Sequence, residues 1–180
     1  MTDNPISPPP IPALFGGPVA MPIWPLQAQA IEFYGDPRKP GWLQQNTIDV
    51  LCPWQLLVGK IPVTHITIHK KCADSLTRVL TAIWEAAGKD QAAINKLKYD
   101  VYDGSYNLRL IRGGSILSMH SFACAIDWDA TDNPQHSGRH LFTDDSLLVK
   151  TFKAEGWIWG GDWSPASVDA MHVQAARIHP

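Results

Sequence analysis

The run Ser118-Met119-His120-Ser121-Phe122-Ala123-Cys124-Ala125-Ile126-Asp127-Trp128-Asp129 decides how the rest of the chain is read. It is answered near the C-terminus by Asp169-Ala170-Met171-His172. Each segment sets a histidine and a carboxylate within a few residues of one another, in otherwise apolar surroundings. Two imidazoles and one carboxylate are a typical three-ligand set for a catalytic zinc. A spare carboxylate is what hydrolysis then needs as general base. Phe122, Ala125 and Ile126 between His120 and Asp127 are apolar, so a bend could return both polar side chains to one point. An H-x(6)-D pair alone reads equally well as a chance or structural pairing. The second pair, beside an aromatic and glycine-rich wall, tips the balance toward a metal.

Composition sets the outer bounds. At 180 residues the chain is most simply one domain with a full core. A formal charge of -2 gives no electrostatic footprint for nucleic acid or an anionic membrane. Cys52, Cys72 and Cys124 are odd in number and lack C-x-x-C spacing, which favours buried free thiols over disulfides or a cysteine-rich zinc site. There is no stretch of about twenty apolar residues, so no membrane insertion is expected. The N-terminus lacks a basic then apolar signal pattern, so synthesis as a soluble cytoplasmic product is expected. Eight tryptophans and fifteen prolines point to a rigid, loop-rich fold with aromatic-lined surfaces.

Outward from the central run, the pattern is grouped rather than alternating. Residues 1–20 hold Pro5, Pro8, Pro9, Pro10, Pro12 and Pro18 and read as a flexible proline-rich arm. A single domain is expected over 21–180. Trp24 to Gly35 reads as a short helix with Leu26, Ala30 and Phe33 on one face. Between Gly41 and Pro62 proline breaks the signals, leaving Thr47–Leu51 and Leu56–Val58 as separate strands or loop anchors. Val63–His69 alternates as a strand. Leu76, Val79, Leu80, Ile83, Trp84 and Ala87 form one helical stripe that Gly88 ends. Asp90–Leu97 predicts a second short helix. Turns are expected at Asp103-Gly104 and Gly113-Gly114. Asp129–Arg139 reads as a polar loop and Ser146–Ala154 as a helix anchored by Leu147, Leu148 and Phe152. The glycines of Gly156–Trp163 allow backbone to approach something closely. This grouping predicts an α+β fold.

The motifs also carry a resemblance. Ser118-x-His120-x-x-Ala123-x-Ala125-x-Asp127, followed by Asp169-x-x-His172, resembles the S-x-H-x-x-G-x-A-x-D…[DE]-x-x-H signature of the zinc D-Ala-D-Ala carboxypeptidase and L-Ala-D-Glu peptidase family. That family includes many bacteriophage endolysins. Tyr106–Gly113 and Trp157–Trp163 resemble its phage branch, and the likeness spans roughly residues 21 to 178. It implies a small, mostly antiparallel sheet with helices packed on one side, as in hedgehog-like D-Ala-D-Ala metallopeptidases.

The resemblance further implies that His120, Asp127 and His172 bind Zn2+ and that Asp169 is the general base. Ser118 would hydrogen-bond near the metal or substrate. Arg109 would polarise the scissile carbonyl or hold a substrate carboxylate, with Arg112 as the alternative. Trp163 would contact substrate. The partner implied is the peptidoglycan stem peptide, met by a monomer that reaches the cell wall after holin-type release. One position departs from the family: its glycine is Ala123 here. A zinc-stabilised binding or structural module of a phage particle that has lost catalysis is the alternative, and the retained Asp169 argues against it.

The remaining polar residues have plainer readings. His65 and His69 share a strand face and are expected to be satisfied histidines. Solvated roles are expected for His136, His140 and His179. Asp129 reads equally as support for a ligand or as a strand-end residue, and Asp162 as a turn residue. Trp157, Trp159 and Trp163 read more readily as core residues than as a glycan platform. The serines lack a His–Asp relay, which disfavours a serine hydrolase.

Overall fold

In the computed structural model, residues 23–179 are described; the proline-rich arm and the expected domain start at residue 21 lie outside them. The chain first builds a long antiparallel hairpin. Strand β1, Thr47–Val58, pairs with β2, Ile61–His69. The two pieces expected in β1 are one strand, because the ladder runs from Thr47↔His69 to Leu51↔His65, slips, and resumes at Leu56↔Val63. Pro53 lies inside that slip, where its missing N–H costs no ladder bond. Val50, Cys52, Trp54 and Leu56 of β1 and Ile66 and Ile68 of β2 point inward.

Upstream, the predicted Trp24–Gly35 helix is a 3₁₀ turn, Gln27–Gln29, and a short helix α1, Ala30–Tyr34. Its inward side chains are Ala30 and Tyr34, while Leu26 and Phe33 are half-buried. Helix α2, Trp42–Asn46, was not anticipated. Five residues flanked by proline and glycine are too short to show a helical period.

Helix α3, Ala73–Ala86, lies on β1 and buries most of the predicted stripe, with Leu76, Val79, Leu80 and Ile83 at 0–1% exposure and Trp84 and Ala87 half-buried. Each such side chain stabilises by about 1.5–3 kcal/mol. Gly88, at φ +69°, ends it. Helix α4, Gln91–Lys96, starts where the Asp90 carboxylate accepts from Ala92 N–H at 2.9 Å. Helix α5, Leu147–Ala154, packs on α3 and buries Leu148, Val149 and Phe152. Arg78 of α3 makes a bidentate pair with the buried Glu155 at 2.8 and 2.7 Å. Leu147, an expected anchor, is only half-buried.

The second sheet carries the site. It contains β3 (Tyr102–Gly104), β4 (Ala125–Trp128), β5 (Ile158–Trp159) and β6 (His172–Gln174), all antiparallel in the order β3-β4-β6-β5. The fold is therefore α+β, with two small sheets where one was expected. The Asp103-Gly104 turn is a correction: this dipeptide lies in β3, and the bulge between Tyr102↔Trp128 and Gly104↔Asp127 uses a glycine at φ +122°. Gly113-Gly114 does turn, closed by Ile111 N–H to Ile116 O at 2.9 Å. Among the described residues, no helix is long and apolar enough to cross a membrane.

Candidate metal centre and its cleft

Register brings the two distant motifs together. Asp127 of β4 and His172 of β6 are direct cross-strand partners, a placement that sets Cβ atoms about 4.5–5.5 Å apart. His120 arrives from the 3₁₀ turn Met119–Phe122, which the Ser118 hydroxyl caps by accepting from His120 N–H. The turn ends at Ala123, whose left-handed backbone (φ +48°, ψ +40°) swings the chain into β4. That conformation normally favours glycine. Ala123 is fully buried, and its carbonyl accepts from His69 N–H at 2.7 Å.

The three side chains converge. His120 Nε2 lies 3.1 Å from Asp127 Oδ2, His172 Nδ1 lies 2.9 Å from Asp127 Oδ1, and the two nitrogens are 3.2 Å apart. Donors about 2.0–2.1 Å from a tetrahedral cation would be separated by about 3.3 Å, so the donor set fits one. The outer nitrogens have acceptors of their own. His120 Nδ1–H donates to the Ser105 carbonyl at 3.2 Å, and His172 Nε2–H to Gln174 Oε1 at 3.1 Å. The inner nitrogens are left as lone pairs facing one point. Among the described residues this is the one cluster of three or more histidine, cysteine, aspartate or glutamate side chains so placed.

Electrostatics follow from burial and pairing. Burial alone would raise the Asp127 carboxyl, but with no cation between them the facing imidazoles of His120 and His172, once protonated on their inner nitrogens, outweigh burial and hold the group well below the usual carboxylate range. His172 is raised: burial acts downward, and Asp127 and Asp169 overcome it. Asp169 is raised by its own burial and by the charge on Asp127, against the opposing effect of the histidines. Its Oδ1 is buried with no hydrogen-bond partner among the described residues. An orphaned carboxylate oxygen beside two imidazoles is costly unless a proton or a cation is handled there.

A cleft of about 360 Å³ opens over these groups. Asp127, Asp169 and His172 line it, as do Ser118, Arg109 and Arg112. The Arg109 backbone is held between Ser118 N–H and the Ser121 hydroxyl. Trp163 forms a wall, its ring 5.4 Å from that of His172, and continues into an adjoining groove of about 670 Å³. Gly160 and Gly161 explain the close approach expected of this segment. A Cβ on Gly160 would meet Asp169 O at 2.3 Å, and one on Gly161 would meet the Trp159 ring at 2.2 Å. Asp169 N–H in turn donates to Gly160 O at 3.0 Å.

The other candidates sort themselves by place. Trp157 and Trp159 are in the core, whereas Trp163, read with them, is only half-buried and lines the cleft. His69 is buried and satisfied, with Nε2–H donating to Tyr34 O and Nδ1 accepting from Lys71 N–H; His65 is exposed. Cys124 is buried with a free thiol. Asp162 pairs with Lys153 at 2.7 Å in the Gly160–Asp162 turn. Asp129 ends β4, and its carbonyl accepts from Asn133. His136 is exposed, as expected, and stands at the rim of the cleft. Ser105, Gln27 and Gln174 went unnoticed in the sequence. Only Gln174 left a signal there: it lies two residues after His172, the spacing that puts both on one strand face.

The arrangement is that of a candidate metal centre with a spare carboxylate, set in a small α+β domain. Residues 112–175, a little over a third of the chain, match the family model described as D-alanyl-D-alanine carboxypeptidase. This match supports a relationship to that peptidase family. The matched stretch holds Ser118, His120, Asp127, Asp169 and His172 and leaves Arg109 outside. No curated protein and no solved structure matches the chain.

Proposed function

We propose that the protein is a zinc-dependent peptidase that cuts the peptide stem of bacterial peptidoglycan, acting as a phage or prophage endolysin that reaches the wall through a membrane lesion. The bond would be L-Ala-D-Glu, or one next to D-Ala. The observation that carries this reading is the convergence of His120, Asp127 and His172 beside the orphaned Asp169, all within the stretch similar to the carboxypeptidase family.

His120 Nε2, Asp127 and His172 Nδ1 would hold the ion. Zinc, when bound, supplies a Lewis acid that polarises the scissile carbonyl and acidifies water. The chain's own groups do the rest. Asp169 takes the proton of the attacking water as its oxygen adds to the carbonyl carbon. It then returns that proton to the leaving amine as the C–N bond breaks. A carboxyl raised by burial suits the second half of this exchange, because it holds its proton long enough to deliver it. Arg109, with Arg112 as the alternative, places a guanidinium against the developing oxyanion or a substrate carboxylate. Trp163 offers an apolar wall to the stem.

The test is mass spectrometry of purified peptidoglycan digested by the unsubstituted chain, by Asp169→Ala and by a chelated sample. New stem-peptide fragments are expected from the first alone, and they identify the bond. Asp169→Ala should lose at least about a hundredfold in rate while keeping one zinc per chain. Intact murein with zinc bound would replace the peptidase with a zinc-stabilised binding module.

A further inference from the structure

The strand that supplies His172 also supplies Gln174, which is 1% exposed. Its amide is fixed from both ends. The Ala176 carbonyl can only accept, so the Gln174 NH₂ must face it, at 2.7 Å. The carbonyl oxygen Oε1 therefore faces the other way, where it receives His172 Nε2–H at 3.1 Å and the Gln27 side-chain N–H at 3.2 Å. A neutral His172 has one ring proton and two acceptors competing for it. Asp127 Oδ1 lies 2.9 Å from Nδ1, and Gln174 Oε1 lies beside Nε2. A metal ligand must keep its donor nitrogen unprotonated.

From this geometry we propose that Gln174 is a positioning residue of the metal centre, which holds the His172 proton on Nε2 so that Nδ1 is presented to the ion. The assignment rests on the metal-centre reading above. Gln27, which comes from the 3₁₀ turn before α1 and lines the cleft, braces the same oxygen. The N-terminal turn thereby touches both the substrate wall and the support of a ligand.

The test separates positioning from packing with two variants. Gln174→Met fills the space and removes both the acceptor and the donor. Gln174→Glu keeps an acceptor toward His172 but sets an oxygen against the Ala176 carbonyl. Zinc affinity is measured by competition with a chromophoric chelator, and stability by urea unfolding of the metal-free proteins. Both variants are expected to unfold at lower urea. Gln174→Met should also bind zinc about 10–100-fold more weakly, the usual cost of losing such a partner, whereas Gln174→Glu should bind at least as tightly as the unsubstituted chain. The nitrogen-15 shifts of His172 in the zinc-loaded chain should show the proton on Nε2.

Zinc affinity that falls equally in both variants, or that Gln174→Met leaves unchanged, overturns the assignment. Should Gln174→Met not fold, Gln174→Glu decides alone: retained affinity with lowered stability upholds the role, and lost affinity removes it. Absence of zinc binding by the unsubstituted chain would overturn the metal-centre reading and this role together.

Discussion

At the scale of single residues, Ala123 shows what the motif demands of the backbone. Its left-handed conformation costs an L-residue roughly 1–2 kcal/mol. Against that stand a buried methyl, worth about 0.8 kcal/mol, and the smaller unfolded-state entropy of alanine, about 0.5–1 kcal/mol. The terms nearly cancel, so Ala123→Gly should change stability by less than about 1 kcal/mol. Ala82→Gly, buried within α3, has no such relief and should cost about 1–2 kcal/mol. Urea midpoints of the two variants compare them directly. An equal loss in both would mean that the turn after His120 is not left-handed in solution. The three side chains that converge, His120, Asp127 and His172, were legible because histidine and aspartate in apolar surroundings stand out. Ser105 was not, since it acts through its backbone carbonyl, which every residue has.

At the scale of elements, the long periodic pieces were legible and the short ones were not. Helix α3 repeats its apolar spacing over several turns, and β2 alternates cleanly. Strands β3, β5 and β6 span only two or three residues each, too few for any period to show. Yet the three-residue β6 supplies His172, and a glycine beside β5 sets the approach of Asp169. Gly160→Ala places a methyl against the backbone and Cβ of Asp169. The expected result is a loss of about 1–3 kcal/mol in stability and a fall in kcat with zinc still bound, since β6 and its histidine need not move. An unchanged kcat would separate Asp169 from catalysis.

His69 works on the hairpin in a similar way. Its ring caps the 3₁₀ turn Lys70–Cys72 and donates to Tyr34 O, and burial pushes its pKa down to about 4. Above about pH 6.5 the ring is neutral in both folded and unfolded chains, and its contribution is complete. As pH falls from there toward 4, only the unfolded chain takes up the proton, so stability is lost, on the order of 2–3 kcal/mol. The gap in urea midpoint between the unsubstituted chain and His69→Gln should therefore narrow from pH 7 to pH 4. A constant gap would mean that the ring is not buried as described.

At the scale of the whole molecule, the three donors are a tie between segments far apart in sequence. His120 and His172 are 52 residues apart, and Asp127 and His172 are 45 apart. An unfolded chain has no such site, so binding energy becomes folding energy. With zinc a thousandfold above its dissociation constant, the gain is about 4 kcal/mol. For a domain of this size each kcal/mol moves Tm by about 2–4 °C. Thermal melts with zinc and with a chelator should then differ by roughly 8–16 °C. The variants distinguish roles within that shift. Asp127→Ala removes a donor and should abolish the zinc dependence. It also leaves two facing imidazoles that no longer share a carboxylate, so its metal-free melt is the reference against which the loss is judged. Asp169→Ala should keep the whole zinc-dependent shift while the peptidase rate collapses. A zinc-dependent shift that Asp127→Ala leaves intact would place the ion elsewhere, and one lost in Asp169→Ala would make that carboxylate a ligand rather than a base.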